Sequence, residues 1–319
     1  MIKSVKKKIL ITGGCGYIGT MLTEMALAQN YKVTVLDTQW FGNVLKKNKN
    51  LKVLKMNLEN IEKINLKDFY GIIHLANIAN DPAAELDSKL TWEVNALFTD
   101  KIVKHAIRYK VKKFIYASSG SVYGLKKEKK VTENLSLVPI SDYNKSKMIA
   151  ERVLMSYEKK IQIFCVRPAT VCGYSKNMRL DVSVNMFVHQ AITNKKITIF
   201  GGDQIRPNIH IMDLCRVFLF FLKKKNDPGF YNAGFENLKI IEIGNKIKKY
   251  LNCEIKTIKQ TNDPRSYRQD STKLLRAGFE PKFNVNFAIK ELIENFKLKK
   301  IKVSKNFFRV KFMKKIFKK

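Results

Sequence analysis

A doubly wound parallel α/β sheet with a smaller C-terminal lobe is the architecture this sequence predicts. Three observations predict it. Short apolar runs alternate with helix-period segments from the N-terminus to about residue 170. Glycines recur every third residue directly after the first run, at Gly13, Gly16 and Gly19. Beyond residue 170 the segments shorten and loops multiply, at Gly173–Arg179, Gly201–Pro207, Asn226–Gly229 and Thr261–Arg268.

The elements follow in order. Lys7–Thr12 is an apolar run without alternation, as in a strand covered on both faces. A helix pattern runs from the glycines to about Gln29. Lys32–Asp37 is the second strand and ends in an acid. Leu51–Met56 and Tyr70–Ala76 are the next two, and a long helix pattern covers Ala83–Tyr109. Lys113–Ser118 is a strand, Tyr143–Lys159 a helix, and Ile161–Arg167 a sixth strand closed by Pro168. After residue 170, Ile211–Lys223 and Leu238–Leu251 read as helices. No internal repeat is evident. In doubly wound sheets ligands sit beyond the carboxyl ends of the strands. Gly13–Gly19, Asp37, Ala76, Ser118-Ser119 and Arg167-Pro168 all fall at such ends.

The glycine segment, Thr12-Gly13-Gly14-Cys15-Gly16-Tyr17-Ile18-Gly19, has the chemistry of a pyrophosphate cradle. Gly13 permits a tight turn, Gly16 lets backbone N–H groups approach phosphates, and Gly19 lets helix and strand pack closely. The helix start adds unpaired donors and partial positive charge. Asp37 suits a ribose 2′-hydroxyl and repels a 2′-phosphate, which favours NAD over NADP. Residues 1–170 are therefore expected to form a Rossmann dinucleotide-binding domain, joined by 208–235. Residues 171–296 are mostly a substrate-binding lobe, and 297–319 a basic tail.

Composition bounds the partners. At 319 residues the chain suits one α/β domain with an appended lobe. No stretch of about 18 uncharged apolar residues predicts a membrane span, and no signal peptide is evident at the N-terminus. Cys15, Cys165, Cys172, Cys215 and Cys253 are scattered without a CxxC pair, as in reduced cytosolic thiols, so no metal site and a cytoplasmic location are expected. The net charge of +34 invites an anionic partner. A lysine-, asparagine- and isoleucine-rich bias from AT-rich codons explains it without nucleic-acid binding, which is not expected as a main role. Lys297–Lys319 mixes lysines with Phe307, Phe308, Phe312 and Phe317. It reads as a frayed tail outside the core, the alternative being an amphipathic helix in weak contact with an anionic membrane.

Tyr143 and Lys147 stand four apart, so both project from one helical face. A free phenol titrates near pH 10. A neighbouring ammonium and a positive nicotinamide favour the phenolate. Tyr143 then takes the proton of an alcohol as its carbon is oxidised. Lys147 also binds the nicotinamide ribose, and Ser119 steadies the developing carbonyl.

These segments together resemble the extended short-chain dehydrogenase/reductase family, in its NAD-dependent epimerase/dehydratase branch. The resemblance reaches to about Lys297. It rests on Thr12–Gly19, Asp37, His74-Leu75-Ala76, Asn95, Tyr116–Gly124, Tyr143–Lys147, Arg167–Gly173 and Arg206–Asp213. It implies oxidation at C4 of a nucleotide-linked hexose with tightly held NAD. It implies that Gly13, Gly16, Tyr17, Ile18, Gly19, Asp37, Asn57, Leu58, Leu75, Ala76, Asn95, Ser118, Tyr143, Lys147 and Pro168 line the cofactor. Asn57 departs from the Asp usual at the adenine. Ser119, Thr170, Asn185, Arg206 and Arg265 are implied on the substrate, the last three at its phosphates or ribose. His210 and Asp213 orient the loop and cap the next helix. A homodimer through the helices around Ala83–Tyr109 and Tyr143–Lys159 is also implied.

Dehydratases of this branch carry Asp-Glu where this chain has Gly120-Ser121, so loss of water is disfavoured. Enzymes that exchange protons at C3 and C5 carry a cysteine aligned with Ser121, also missing here. What remains is oxidation at C4, followed either by epimerisation or by release of a 4-keto sugar. Ser175–Asp181, then Asn185, is similar to the substrate loop of enzymes that oxidise C4 of GDP-linked heptoses. The 4-epimerase, with a role in surface polysaccharide synthesis, is the preferred reading; a 4-dehydrogenase is the alternative. A reductase of non-sugar substrates and a non-catalytic NAD-binding or RNA-associated protein stand further off, since the latter usually lose the Tyr or Lys.

Overall fold

The computed structural model describes residues 6–223, 227–259 and 265–317. The first five residues, Lys224-Lys225, the start of the loop at Asn226, the stretch Gln260–Pro264 and Lys318-Lys319 lie outside the described residues. The strands are β1 (Lys8–Thr12), β2 (Lys32–Asp37), β3 (Leu51–Lys55), β4 (Phe69–His74), β5 (Lys113–Ala117), β6 (Gln162–Pro168), β7 (Thr170–Cys172), β8 (Lys196–Phe200), β9 (Ile205–His210), β10 (Gly229–Ala233), β11 (Glu236–Lys239) and β12 (Glu254–Ile258). Seven form one sheet in the order β10-β6-β5-β4-β1-β2-β3, with every pair from β6 to β3 parallel. This is the doubly wound order, with its switch point between β1 and β4.

The middle of this sheet is buried on both faces. All five residues of β5 are buried, as are Ile9, Leu10 and Ile11 of β1 and Ile72 and Ile73 of β4. That is why the strands read as continuous apolar runs. Each such side chain contributes about 2 kcal/mol of burial free energy. The helices of the same unit are α1 (Tyr17–Ala28), α2 (Asp81–Ala84), α3 (Ser88–Trp92), α4 (Phe98–Arg108), α5 (Asp142–Met155) and, from Cys215 on, α7 (Ile211–Lys223), while α6 (Ser183–Asn194) belongs to the other.

The single helix expected over Ala83–Tyr109 is three helices and a wide turn. The Asp87 carboxylate accepts the Leu90 N–H (2.9 Å) and starts α3 afresh. A π-helical turn, Glu93–Leu97, then joins α3 to α4. Apolar periodicity survives both interruptions, so the pattern alone conceals them.

The chain divides into two compact units. The first comprises Met1–Ser118, Ser141–Val166 and Cys215–Phe230, and the second Ser119–Ile140, Arg167–Leu214 and Tyr231–Lys319. This departs from the expected partition: 119–140 and 167–170 join the second unit, and only Cys215–Phe230 of 208–235 joins the first.

In the second unit β9 lies between β7, parallel, and β11, antiparallel. β8 and β12 pair in parallel. Its later helices are α8 (Ile240–Lys248), α9 (Thr272–Arg276), α10 (Val285–Lys297) and α11 (Arg309–Phe317). Ile205–Pro207, expected in a loop, open β9. Pro207 is tolerated there because pairing with β7 begins only at Asn208. Leu238 and Lys239, expected in a helix, are spent pairing with Arg206 and Ile205. The tail is not frayed: Ile301, Arg309 and Met313 are buried.

Gly19 sets how closely α1 packs on the turn before it. A Cβ added there would lie 2.0 Å from the Gly13 carbonyl oxygen. Gly19→Ala is expected to lower the thermal midpoint by several degrees and to weaken NAD binding at least tenfold. Calorimetry and a fluorescence titration with NAD check both.

Candidate active site

The glycine loop expected to take phosphate is built without side chains. Gly13 has φ +72°, and its N–H donates to the Leu36 carbonyl at 2.8 Å. A Cβ on Gly13 would sit 2.7 Å from the Ala76 nitrogen. Gly16 precedes α1, whose first turn has no side-chain cap among the described residues. Its donors thus suit phosphate oxygens. Tyr17 is buried and Ile18 half-buried beside it.

Asp37 ends β2 and is held at this loop. Its carboxylate accepts the Cys15 N–H at 3.0 Å and the Gln39 N–H at 2.6 Å. Burial and that carboxylate push the Cys15 thiol up to about 12, so it stays protonated. Asn57 is exposed and caps the short 3-10 helix Leu58–Lys63, accepting the Glu59 N–H at 3.3 Å; Leu58 is buried.

Leu75 and Ala76 lie just past β4 and are fixed by a buried relay. The Leu75 N–H donates to the Thr12 carbonyl at 3.1 Å, and the Ala76 N–H to the Thr12 hydroxyl at 3.3 Å. That hydroxyl lies 2.6 Å from His74 Nδ1, and His74 Nε2 lies 2.9 Å from the Thr99 hydroxyl. Thr99 donates its own proton to the Asn95 carbonyl at 2.8 Å. His74 therefore carries its proton on Nε2 and accepts at Nδ1. Burial pushes its pKa down to about 3, so the imidazole is neutral.

At the end of β5 the Ser118 hydroxyl is buried with no hydrogen-bond partner among the described residues. Buried hydroxyls are normally paired. An unpaired hydroxyl, uncapped helix donors and a carboxylate at the end of β2 fit a dinucleotide.

The pair expected to transfer a proton, Tyr143 and Lys147, stands on α5. Ser141 caps this helix, accepting the Asn144 N–H at 3.2 Å. The Ser141 hydroxyl and the Asn144 amide both donate to Asp81, which ties α5 to α2. Tyr143 is half-buried, one turn before Lys147. Lys147 is 2% exposed, and its Nζ donates to the Ala117 carbonyl at 2.7 Å. The same Nζ lies 4.8 Å from the Tyr116 ring centroid and 5.9 Å from that of Tyr143. Burial pushes the Lys147 amine down to about 7, against the pull of Glu151 and Cys165.

Asn95 lies in the π-helical turn and is fully buried. Its Oδ1 accepts the Ile78 N–H at 2.8 Å, and its Nδ2 donates to the Ile78 carbonyl and the Ser146 hydroxyl, both at 3.1 Å. The amide thus braces the segment after β4 against α5, a role the sequence did not reveal.

The second unit carries the remaining candidates. Ser119 caps the 3-10 helix Gly120–Tyr123 and accepts the Ser121 N–H at 3.1 Å. The Ser119 and Ser121 hydroxyls share a hydrogen bond of 2.7 Å. Pro168 closes β6, and Thr170 opens β7 opposite Asn208. Arg206 and Arg265 flank one main-chain pairing. The Ile205 N–H donates to the Ser266 hydroxyl at 3.0 Å, and its carbonyl accepts the Tyr267 N–H at 3.3 Å.

Asn185 is fully buried. Its Oδ1 accepts the Gly173 N–H at 3.0 Å and its Nδ2 donates to the Arg179 carbonyl at 2.9 Å. It braces the loop after β7. His210 and Asp213 divide the two expected roles between them. His210 Nδ1 accepts the Met212 N–H at 3.2 Å at the start of α7. The Asp213 carboxylate holds the Lys282 and Phe283 N–H groups, each at 2.9 Å. Glu291, unremarked in the sequence, accepts from Tyr174 N–H at 2.8 Å and lies 3.2 Å from His210 Nε2.

The model of the NAD dependent epimerase/dehydratase family matches residues 9–234. The chain belongs to this family. NAD is the family's cofactor. The chain is similar to the dTDP-D-glucose 4,6-dehydratase of Dictyostelium discoideum, at 32% identity over 284 residues, which cover 78% of this chain and 62% of that protein. It is also similar to the UDP-glucose 4-epimerase of Lactobacillus helveticus, at 25% identity over 305 residues, 86% of this chain and 92% of that one. Among solved structures, the UDP-glucose 4-epimerase of Thermotoga maritima with UDP-glucose matches with a TM-score of 0.85 and 25% identity, over 92% of this chain and 99% of that chain.

Among the described residues, this family member has no cluster of three or more His, Cys, Asp or Glu side chains able to hold a metal. No described helix is long and apolar enough to cross a membrane. All five cysteines are buried thiols.

A lysine with a lowered pKa destabilises the fold in its protonated form. Between about 7 and the unfolded value of 10.5 the unfolded chain binds the extra proton. Wild-type stability relative to Lys147→Met therefore rises with pH across this window, by on the order of 1–2 kcal/mol from pH 7 to pH 9. Urea unfolding of both proteins without cofactor at the two pH values measures it. An unchanged difference would contradict the burial of a titrating amine.

Proposed function

We propose that this protein is a nucleotide-sugar 4-epimerase acting through Tyr143, Lys147 and Ser119. One observation carries the reading: the buried Lys147 amine, fixed on the Ala117 carbonyl at the end of β5, stands one helical turn from the Tyr143 phenol. The names of the relatives from Lactobacillus helveticus and Thermotoga maritima support the substrate class and the reaction.

In this reading NAD is held at Gly13–Gly19 and Asp37, with Asn57, Leu58, Leu75, Ala76, Ser118 and Pro168 along its length. When bound, it supplies the electron-pair acceptor and donor for C4. The Tyr143 phenolate takes the proton from the 4-hydroxyl as that oxygen becomes a carbonyl, and later gives it back. Protonated Lys147 favours the phenolate. Ser119 donates to the same oxygen, which its bond to Ser121 allows if Ser121 is the donor of that pair. Arg206 and Arg265 take the diphosphate, whose oxygens suit guanidinium forks. Thr170 faces the sugar, and Asn185 shapes the loop beside it.

Loss of water is disfavoured on two counts. A side chain at Gly120 would meet Tyr267 Oη at 3.2 Å and the Gln269 amide at 3.3 Å, so an acid there would have to push both aside by a few tenths of an ångström. Ser121 is no base, and its hydroxyl is engaged with Ser119.

Incubation with UDP-, GDP-, CDP- and dTDP-sugars, read by chromatography and mass spectrometry, tests the reaction. The expected product is an isomer of unchanged mass. A product two hydrogens lighter would mean a 4-dehydrogenase, and one lighter by a water would overturn the reading. Tyr143→Phe is expected to lower kcat at least a thousandfold while NAD still binds; near-normal turnover would remove Tyr143 from the mechanism.

A further inference from the structure

The C-terminal segment is locked onto the loop that follows β7. We propose that residues 304–313 form a strap setting the shape of loop 173–185, with Arg309 as a positioning residue for the nucleotide-sugar. The substrate part of this rests on the function proposed above; the mechanical part does not.

Arg309 is 5% exposed although it lies in a lysine-rich tail that holds no other arginine. Its Nη2 donates to Asn177 Oδ1 at 2.6 Å, to the Met178 carbonyl at 3.0 Å and to the Asn177 carbonyl at 3.4 Å. Its Nη1 donates to the Asn306 carbonyl at 2.7 Å, which fixes the guanidinium to its own segment. The backbone adds two ties. The Leu180 N–H donates to the Phe307 carbonyl at 2.9 Å, and the Val310 N–H to Asp181 Oδ2 at 3.2 Å. Asp181 also accepts from Arg179 Nε at 2.7 Å.

The loop is thus held from two sides. Asn185 grips Gly173 and Arg179 from within, and Arg309 grips Asn177 and Met178 from the tail. Between the grips, Lys176 is exposed. A buried guanidinium left without its acceptors is costly, so strap and loop order together. Lysine would not substitute, because one ammonium on a flexible stem does not reproduce a planar fork. The consequence is a substrate loop whose geometry is set by residues more than 120 positions downstream.

The test uses the full chain with NAD bound and three variants: Arg309→Ala, Arg309→Lys and Asp181→Asn. Amide exchange of 173–185 is measured first. All three are expected to speed it at least tenfold while exchange in 8–37 is unchanged; unaltered exchange in the loop would overturn the strap. Kinetics on whichever nucleotide-sugar the wild type epimerises come second. KM is expected to rise about tenfold in Arg309→Ala, with kcat changed less than threefold and NAD affinity intact. Faster loop exchange with wild-type KM would overturn the positioning role and leave the strap standing. A wild type that converts no nucleotide-sugar would sink the proposed function alone, since exchange still decides the strap. Should Arg309→Ala fail to fold, the two milder variants carry the same measurements.

Discussion

A buried amine organises the junction of β5 and α5 in the first unit. Lys147 gives up bulk water for one carbonyl at 2.7 Å and the face of Tyr116. Transfer of an unpaired ammonium to an apolar interior costs several kcal/mol. The hydrogen bond, the ring and Glu151 offset part of this, and the pKa falls until charge is optional near neutrality. The expense has a geometric return. An amine at this depth has few alternative positions, so the helix carrying it is registered against β5. Tyr143, one turn earlier, inherits that register.

The surrounding polar residues work by bracing main chain. His74 is neutral because burial disfavours its charged form; both its ring nitrogens are committed to threonine hydroxyls, and Thr12 passes that constraint to Ala76. Asn95 does the same for Ile78 while holding Ser146 on α5. In the second unit Asn185 repeats the device on Gly173 and Arg179. Each is a buried amide or imidazole whose groups are satisfied by backbone or hydroxyl, the condition under which buried polarity rigidifies rather than destabilises. A residue type that suits a ligand equally suits a loop, which is why Asn95 and Asn185 read as ligand contacts from sequence.

What was legible follows from which signals are local. The strands of the parallel sheet were readable because strands covered on both faces leave unbroken apolar runs at β1, β4 and β5. The glycine turn was readable because only glycine fits where a Cβ would strike Ala76 or the Gly13 carbonyl. The break at Asp87 was hidden because a capping carboxylate interrupts a helix without disturbing its apolar period. β11 was hidden because its partner, β9, lies about 30 residues away in sequence. Glu291 was invisible for the same reason: its partners, Tyr174 and His210, are remote. Arg309 left a faint signal, as the lone arginine in a lysine-rich stretch.

That signal bears on the charge of the whole chain. With an excess of +34, lysine is the default cation here, and its position carries little information. Beyond about 8 Å its field is screened at physiological salt, so the excess raises the local concentration of anions without selecting among them. Selection needs donors in fixed directions. Arg206 and Arg265 adjoin the bond from the Ile205 N–H to the Ser266 hydroxyl, and Arg309 is buried on four acceptor atoms. Arginine kept where lysine would be the compositional default marks places where direction, rather than charge, is what the fold requires.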